Sequence, residues 1–338
     1  MIGISFYLND SLAEERIIQA GEIGVKRAFT SLHIPEESGD LAGRAKKLLQ
    51  LAKDCGIEVF ADVSYHTPAH LGLKNLFALK ELGVTGLRLD DFFDHDLILS
   101  LATEFKLAVN ASIFFEEEIQ KLLNSGLNSE QLIGWHNFYP RAETGLSEAF
   151  FTQQNELYKQ YNIPLSAYIP GAGEKRGPIG EGLPTLEKHR DTDPFLAALE
   201  LFHSGVDEVY IGDPDHGHGL LEKLMRMTTE NIVSIGVEGK FTHCGHYQLR
   251  PDLSRDVLRF MNTRTTESVV PKNTVLRPAG SITMDNNHYG RYRGEIQITL
   301  RDLPADERVN VIGKLTADDV RLLSYLKPGM VIELVSRT

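Results

Sequence analysis

Residues 57–91, IEVFADVSYHTPAHLGLKNLFALKELGVTGLRLDD, decide the fold. A strand-length apolar run from Ile57 leads into a helix-like stretch, AHLGLKNLFALKELG, and a second strand-like run starts near Thr85. Pro68 sits where a first helical turn tolerates proline, and Gly83 where a helix commonly ends. Strand, helix, strand is the βαβ unit of a parallel sheet. Outward from this unit the same alternation continues in both directions. Strands are expected to begin near Ile2, Val25, Ile57, Thr85, Lys106, Leu132, Ile163 and Asp207. Eight such units within about 230 residues are the number and size that close a (β/α)₈ barrel. The fold class is therefore α/β, a TIM barrel, and its chemistry is expected on the loops that follow the strands.

Cap residues agree with this division. Asn9 and Asp10 precede the periodic SLAEERIIQAGEIG, Asp40 precedes a run ending at Gly56, Ser147 opens SEAFFTQQNELYKQYN, and Asp193-Pro194 opens PFLAALELFHSG. After residue 231 the pattern changes. Strands are expected around 274–284, 293–300, 308–313 and 331–335, with one helix at Thr316–Leu326 opened by a Thr316/Asp319 capping box. The chain thus divides into a barrel domain, 1–231, and a small β-rich domain, 232–338, itself expected to be a barrel.

The net charge of −12 argues against a general nucleic-acid surface. It is unevenly spread: residues 1–231 hold 20 Lys/Arg and 35 Asp/Glu, residues 232–338 hold 15 and 12, and 11 of those 15 cations are Arg. Arg grips phosphate and carboxylate bidentately, so the second domain is a candidate to help hold an anion. No apolar run approaches the ~20 residues of a membrane helix, and the start lacks the basic region of a signal peptide. Cys55 and Cys244 fall in different domains, which suits reduced thiols in a cytoplasmic protein.

Side chains alternate along a strand between barrel interior and helix layer. Parity points Phe60, Asp62 and Ser64 inward, then Arg88 and Asp90, Asn110 and Ser112, Ser166 and Tyr168, with Ser5 and Tyr7 on the first strand. Asp62 and Asp90 come from neighbouring strands at roughly 4.8 Å pairing distance, so they are the candidate acid and base or nucleophile of a hydrolase. The plainer role for either is to neutralise Arg88; Asp91 has the opposite parity. The sixth window, IGWHNFYPRAETGLS, supplies Trp135, His136, Asn137, Tyr139, Arg141 and Glu143. Flat rings with amide and guanidinium donors suit a polyhydroxyl ligand. Tyr7, Asn110, Asn137, Tyr139, Arg141, Tyr168 and Asp213 are the candidate ligand contacts, Asp213 with a helix N-cap as its other reading.

The seventh loop, GAGEKRGPIGEGLPTLEKHR, is long and glycine-rich, with Lys175, Arg176 and Arg190. Barrels of this class often hold phosphate after strands seven and eight, and such a loop has the makings of a lid. His66 and His70 have i,i+4 spacing, but Pro68 between them interrupts a helix, and no His-Glu-x-x-His, carboxylate triad or Cys cluster accompanies them, Asp213-Pro-Asp215-His216-Gly-His218 or His243/His246, so no metal is expected.

The opening IGISFY, the run LRLDD, the run HNFYPRAETGLS and the stretch TVLRPAGSITMDNNHYGRYRGEIQI resemble the bacterial 6-phospho-N-acetylmuramidases along essentially the whole chain. At Glu143 the family pattern leads us to expect an aromatic instead. The resemblance implies a (β/α)₈ barrel followed by a cyclophilin-like domain. It also implies cytoplasmic hydrolysis of the β-1,4 bond in N-acetylmuramic acid 6-phosphate–N-acetylglucosamine, in peptidoglycan recycling. The expected partner is this phosphorylated amino-sugar disaccharide, with no nucleic acid, membrane or cofactor involved. Arg176, Arg277 and Arg291 are the candidates for its phosphate, beside Asn286, Asn287 and Tyr289. Two other readings are a pyridoxal-phosphate barrel enzyme, disfavoured because no strand-end window offers a lysine, and a non-catalytic sugar-phosphate binding protein.

Overall fold

A computed structural model describes residues 1–32, 41–89 and 93–337. Eight parallel strands close a barrel in sequence order: β1 (Ile2–Ser5), β2 (Arg27–Ser31), β3 (Glu58–Val63), β4 (Val84–Leu89), β5 (Lys106–Asn110), β6 (Leu132–Trp135), β7 (Leu165–Ile169) and β8 (Glu208–Ile211). The barrel is closed by pairing of β1 with β8, Gly3 opposite Tyr210. The chain forms two compact units, Met1–Met225 and Arg226–Thr338. Among the described residues, no helix is long and apolar enough to cross a membrane.

Helices follow the strands where amphipathic runs and caps place them. They include α1 (Ala13–Ile23), α2 (Leu41–Asp54), α3 (Thr67–His70), α4 (His95–Leu101), α5 (Glu116–Asn124), α6 (Glu148–Gln160), α7 (Pro194–His203) and α8 (Leu220–Met225). Ser147 caps α6 by accepting from the Phe150 N–H at 3.3 Å, and Asp193 caps α7 through Leu196 at 3.0 Å. Two expectations fail locally. Asp10 does not cap α1; its carboxylate takes the Leu12 N–H at 2.9 Å and the Arg16 guanidinium at 2.7 Å. The single helix expected across AHLGLKNLFALKELG is broken, because Gly72 adopts φ +65° and Asn75 starts a fresh 3₁₀ turn at Leu76–Lys80. The candidate cap Asp40 lies outside the described residues.

Barrels usually fill with branched aliphatics, but this interior is aromatic. Phe29, Phe60, Trp135, Tyr168 and Tyr210 form one buried cluster with Tyr7, Ala108 and Ile133. Trp135 is its centre, with ring centroids 4.2 Å from Tyr210 and 5.5 Å from Phe60. Glycine makes room for these rings: a Cβ on Gly86 would sit 2.2 Å from Phe60, and one on Gly3 2.3 Å from Tyr210. Gly86→Ala should therefore overpack the core and cost about 1–3 kcal/mol. Chemical denaturation would show this as a lower midpoint at unchanged slope; an unchanged midpoint would mean the barrel relaxes around the methyl group.

The second unit holds a three-stranded sheet of β10 (Gly245–Gln248), β15 (Val331–Arg337) and β9 (Ile232–Glu238), in that order. A four-stranded sheet runs β11 (Val257–Arg259), β13 (Ile296–Thr299), β12 (Ser281–Asp285), β14 (Val309–Lys314). Isolated bridges at Val237–Leu315 and Leu249–Phe260 link the two sheets at both edges. β9, β10 and β11 lie outside the expected strands. The helix expected over Thr316–Leu326 divides into α9 (Ala317–Val320) and a 3₁₀ turn at Arg321–Tyr325. Thr316 accepts from the Asp319 N–H as expected, and the Asp319 carboxylate accepts from the Thr316 hydroxyl at 2.7 Å and the Gly236 N–H at 2.8 Å, while the Thr316 N–H donates to the Gly236 carbonyl at 3.0 Å. The box is therefore closed through the cap hydroxyl and not through the cap N–H.

Candidate active site at the barrel mouth

At the C-terminal ends of β3 and β4 the inward positions are filled by Asp62 and Arg88, both buried. Arg88 Nη1 donates to Asp62 Oδ1 at 2.7 Å, and Nη2 donates to Asn137 Oδ1 at 3.3 Å. Removing charges from water is costly, and this pair offsets the cost by mutual attraction and further hydrogen bonds. The pairing also orients Asn137. Its carbonyl must face the guanidinium, and its Nδ2 donors are left without a partner among the described residues. Its backbone is held too, by the Ser112 hydroxyl at 3.1 Å and by Thr185 at 2.9 Å.

Behind Ser112 lies a second polar chain. His136 is buried, and burial pushes its imidazole down to about 4, so the ring is neutral near pH 7. Its Nε2 stands 2.8 Å from Asn155 Oδ1 and must carry the proton there, which leaves Nδ1 as acceptor facing the Ser112 hydroxyl at 3.5 Å. The half-buried Tyr139 faces Ser112 and Arg88 from the other side; burial is what raises its phenol above the usual range.

The catalytic expectation for Asp90 falls outside the described residues, as does Asp91. Several expected ligand contacts have other work. Tyr7 is fully buried, and its hydroxyl donates to the Gly212 carbonyl at 2.7 Å. Tyr168 is fully buried in the aromatic cluster. Asn110 is buried, its side-chain Oδ1 accepting from the Ser112 N–H at 3.0 Å to form a tight turn. Trp135 is core filling and offers no face to a sugar. Asp213 caps no helix: its carboxylate accepts from the N–H groups of Gly171 at 2.9 Å, Arg176 at 2.9 Å and Leu183 at 3.3 Å. Arg141 and Glu143 are exposed, and Glu143 sits at φ 69° with its N–H on Glu187 at 2.8 Å.

The seventh loop, expected to have the makings of a lid, is tied at several points. Asp213 holds it from below, Asp215 accepts from the Glu174 N–H at 3.2 Å, and Arg190 clamps it to the sixth loop. Arg190 is spent on Glu187 at 2.7 Å and on the carbonyls of Glu181, Tyr139 and Arg141, so it is no anion ligand. Glu187 in turn is drawn down to about 2 by that guanidinium. This clamp was not anticipated from the sequence.

Arg176 is different. Its Cζ lies 4.1 Å over the Tyr7 ring, its Nε is buried without a hydrogen-bond partner, and no carboxylate pairs with it among the described residues. It lines a cavity of about 240 Å³ with Asp10, Arg16, Lys175 and Pro214. In the second unit, Arg277 Nε donates to the Pro304 carbonyl at 2.9 Å, and Arg291 donates to the Tyr292 hydroxyl at 3.1 Å. Among the described residues, no group of three or more His, Cys, Asp or Glu side chains is placed to hold a metal ion.

No protein of curated function matches the chain. Among solved structures, a conserved Enterococcus faecalis protein of unknown function is similar at 35% identity over 100% of this chain and 96% of that one, with a TM-score of 0.86. An uncharacterized B. cereus protein is similar at 29% identity over 99% of each chain, TM-score 0.77. Family models match end to end: 6-phospho-N-acetylmuramidase, N-terminal, over residues 2–226, and 6-phospho-N-acetylmuramidase, C-terminal, over residues 226–335. The chain belongs to the 6-phospho-N-acetylmuramidase family of glycosidases.

Proposed function

We propose that this protein hydrolyses the β-1,4 bond of N-acetylmuramic acid 6-phosphate–N-acetylglucosamine, a step of cell-wall recycling in the cytoplasm. The observation that carries the reading is Arg176, an unpaired guanidinium stacked on a buried tyrosine, on the loop after β7 where barrels of this class hold phosphate. An acidic barrel needs such a group to accept a phosphorylated sugar. Asp62, tied to Arg88, acts as the fixed anion that stabilises the oxocarbenium-like transition state or attacks it. Asp90 is the general acid; its assignment rests on strand parity alone. Asn137 and Tyr139 contact the sugar. In the second unit, which we read as cyclophilin-like, Arg277 and Arg291 are anion-binding residues. Cys55 and Cys244 are both free thiols, in keeping with a reducing compartment.

Incubation with the disaccharide 6-phosphate tests this directly. Mass spectrometry should show N-acetylglucosamine and N-acetylmuramic acid 6-phosphate in equal amounts. Tight binding without cleavage would indicate a sugar-phosphate receptor instead.

A further inference from the structure

The loops after β3 and β5 expose apolar side chains for which the groups above give no reason: Tyr65 at 49%, Ile113 at 37% and Phe115 at 49%. Tyr65 is held rigidly all the same. One face packs on Phe93 with ring centroids 4.5 Å apart and planes 31° apart, and its hydroxyl accepts the Asp94 N–H at 2.7 Å. An exposed ring fixed at its edge and on one face presents the rest to solvent as a preformed surface. The described loop residues after β3, β4 and β5 (64–66, 93–94 and 111–115) include no Lys or Arg. The cavity formed by α1 and the loops after β1, β7 and β8 holds Lys175 and Arg176 together with Asp10, Glu174 and Arg16, and Arg16 is tied to Asp10 at 2.7 Å, so among the described residues Arg176 is the cation it offers without a carboxylate partner.

The barrel closes in the order β1 to β8, so β3 and β7 stand four strands apart, on opposite sides of the mouth. A ligand whose phosphate sits at Arg176, and whose scissile bond lies over Asp62, carries its far end toward Tyr65. We propose that Tyr65 is the platform for the leaving sugar, an uncharged pyranose whose C–H face covers the ring, with Ile113 and Phe115 continuing the apolar rim. This rests on the reaction proposed above and deepens it by giving the substrate a direction across the mouth. An uncharged end on a cation-free apolar rim and a phosphate on Arg176 match each end of the ligand to its surroundings. Pyranoses are amphipathic, and aromatic faces suit them because they bury area without demanding a hydrogen bond.

The test compares hydrolysis of the disaccharide 6-phosphate with that of the methyl β-glycoside of N-acetylmuramic acid 6-phosphate, which lacks the second ring. In Tyr65→Ala the ratio of the two kcat/KM values should fall about tenfold, the order expected from uncovering one ring face, and in Tyr65→Phe it should stay within about twofold. Product inhibition by free N-acetylglucosamine should weaken in Tyr65→Ala by a similar factor, and inhibition by the phosphorylated product much less. An unchanged ratio in Tyr65→Ala, whether both rates drop or neither does, overturns the platform alone. Wild-type protein that cleaves neither compound overturns the reaction, and the platform as a leaving-group site falls with it.

Discussion

Asp90→Asn should lower kcat on the disaccharide 6-phosphate by roughly 10²–10⁴-fold, the usual contribution of a positioned general acid. The unfolding midpoint should stay close to that of the native protein. Asp62→Asn should behave differently. Asp62 is the carboxylate on Arg88, a side chain only 1% exposed. Breaking a buried ion pair from one side costs about 3–5 kcal/mol. The Asp62 variant should therefore lose stability along with activity, and the Asp90 variant activity alone. Kinetics and denaturation on the same two preparations separate these outcomes. Near-native turnover in Asp90→Asn would remove it from the chemistry. Glu143, whose backbone is fixed on the outer loop, and Asp213, whose carboxylate is filled by three amides, would be poor replacements, so attention would move to Asp62.

What could be read from the sequence divides along a physical line. Strand periodicity is local, so eight strands, their order of closure and the inward parity of Phe60, Asp62, Arg88 and Tyr168 were legible. The pairing of Asp62 with Arg88 follows from that parity on adjacent strands. Burial depth did not follow. Polar residues on an inward face looked like ligand contacts, yet Tyr7 lies beneath Arg176 and Asn110 closes a turn. The inward glycines Gly3 and Gly86 were the available signal that large rings fill the barrel. Loop chemistry was the least legible. The Asp213 anchor and the Arg190–Glu187 clamp join loops about 30 to 50 residues apart, a range at which local patterns carry no information. In the second unit the missed strands β9, β10 and β11 are short or pair with distant partners such as β15, so no adjacent hairpin signal marked them.

Arg176→Ala should cut kcat/KM for the 6-phosphate disaccharide by about 10–150-fold, the value of one charge-assisted hydrogen bond in a binding step. The unphosphorylated disaccharide should be affected far less. Residues 1–231 carry 20 cationic and 35 acidic side chains, so the wider field opposes a dianion and the local pocket must overcome it. Tyr7 explains why the guanidinium is ready before ligand arrives. The ring beneath it fixes the plane of the fork, and the Asp213 bond to the Arg176 N–H fixes the backbone that carries it. Less freedom is then lost on binding. Arg176→Lys keeps the charge but neither the stack nor the fork, so it should recover only part of the loss. Equal losses on both substrates in Arg176→Ala would assign the residue to loop structure. Wild-type protein that cleaved both disaccharides equally well would show that the pocket does not read phosphate, and the specificity would have to come from the lactyl carboxylate or the acetamido groups.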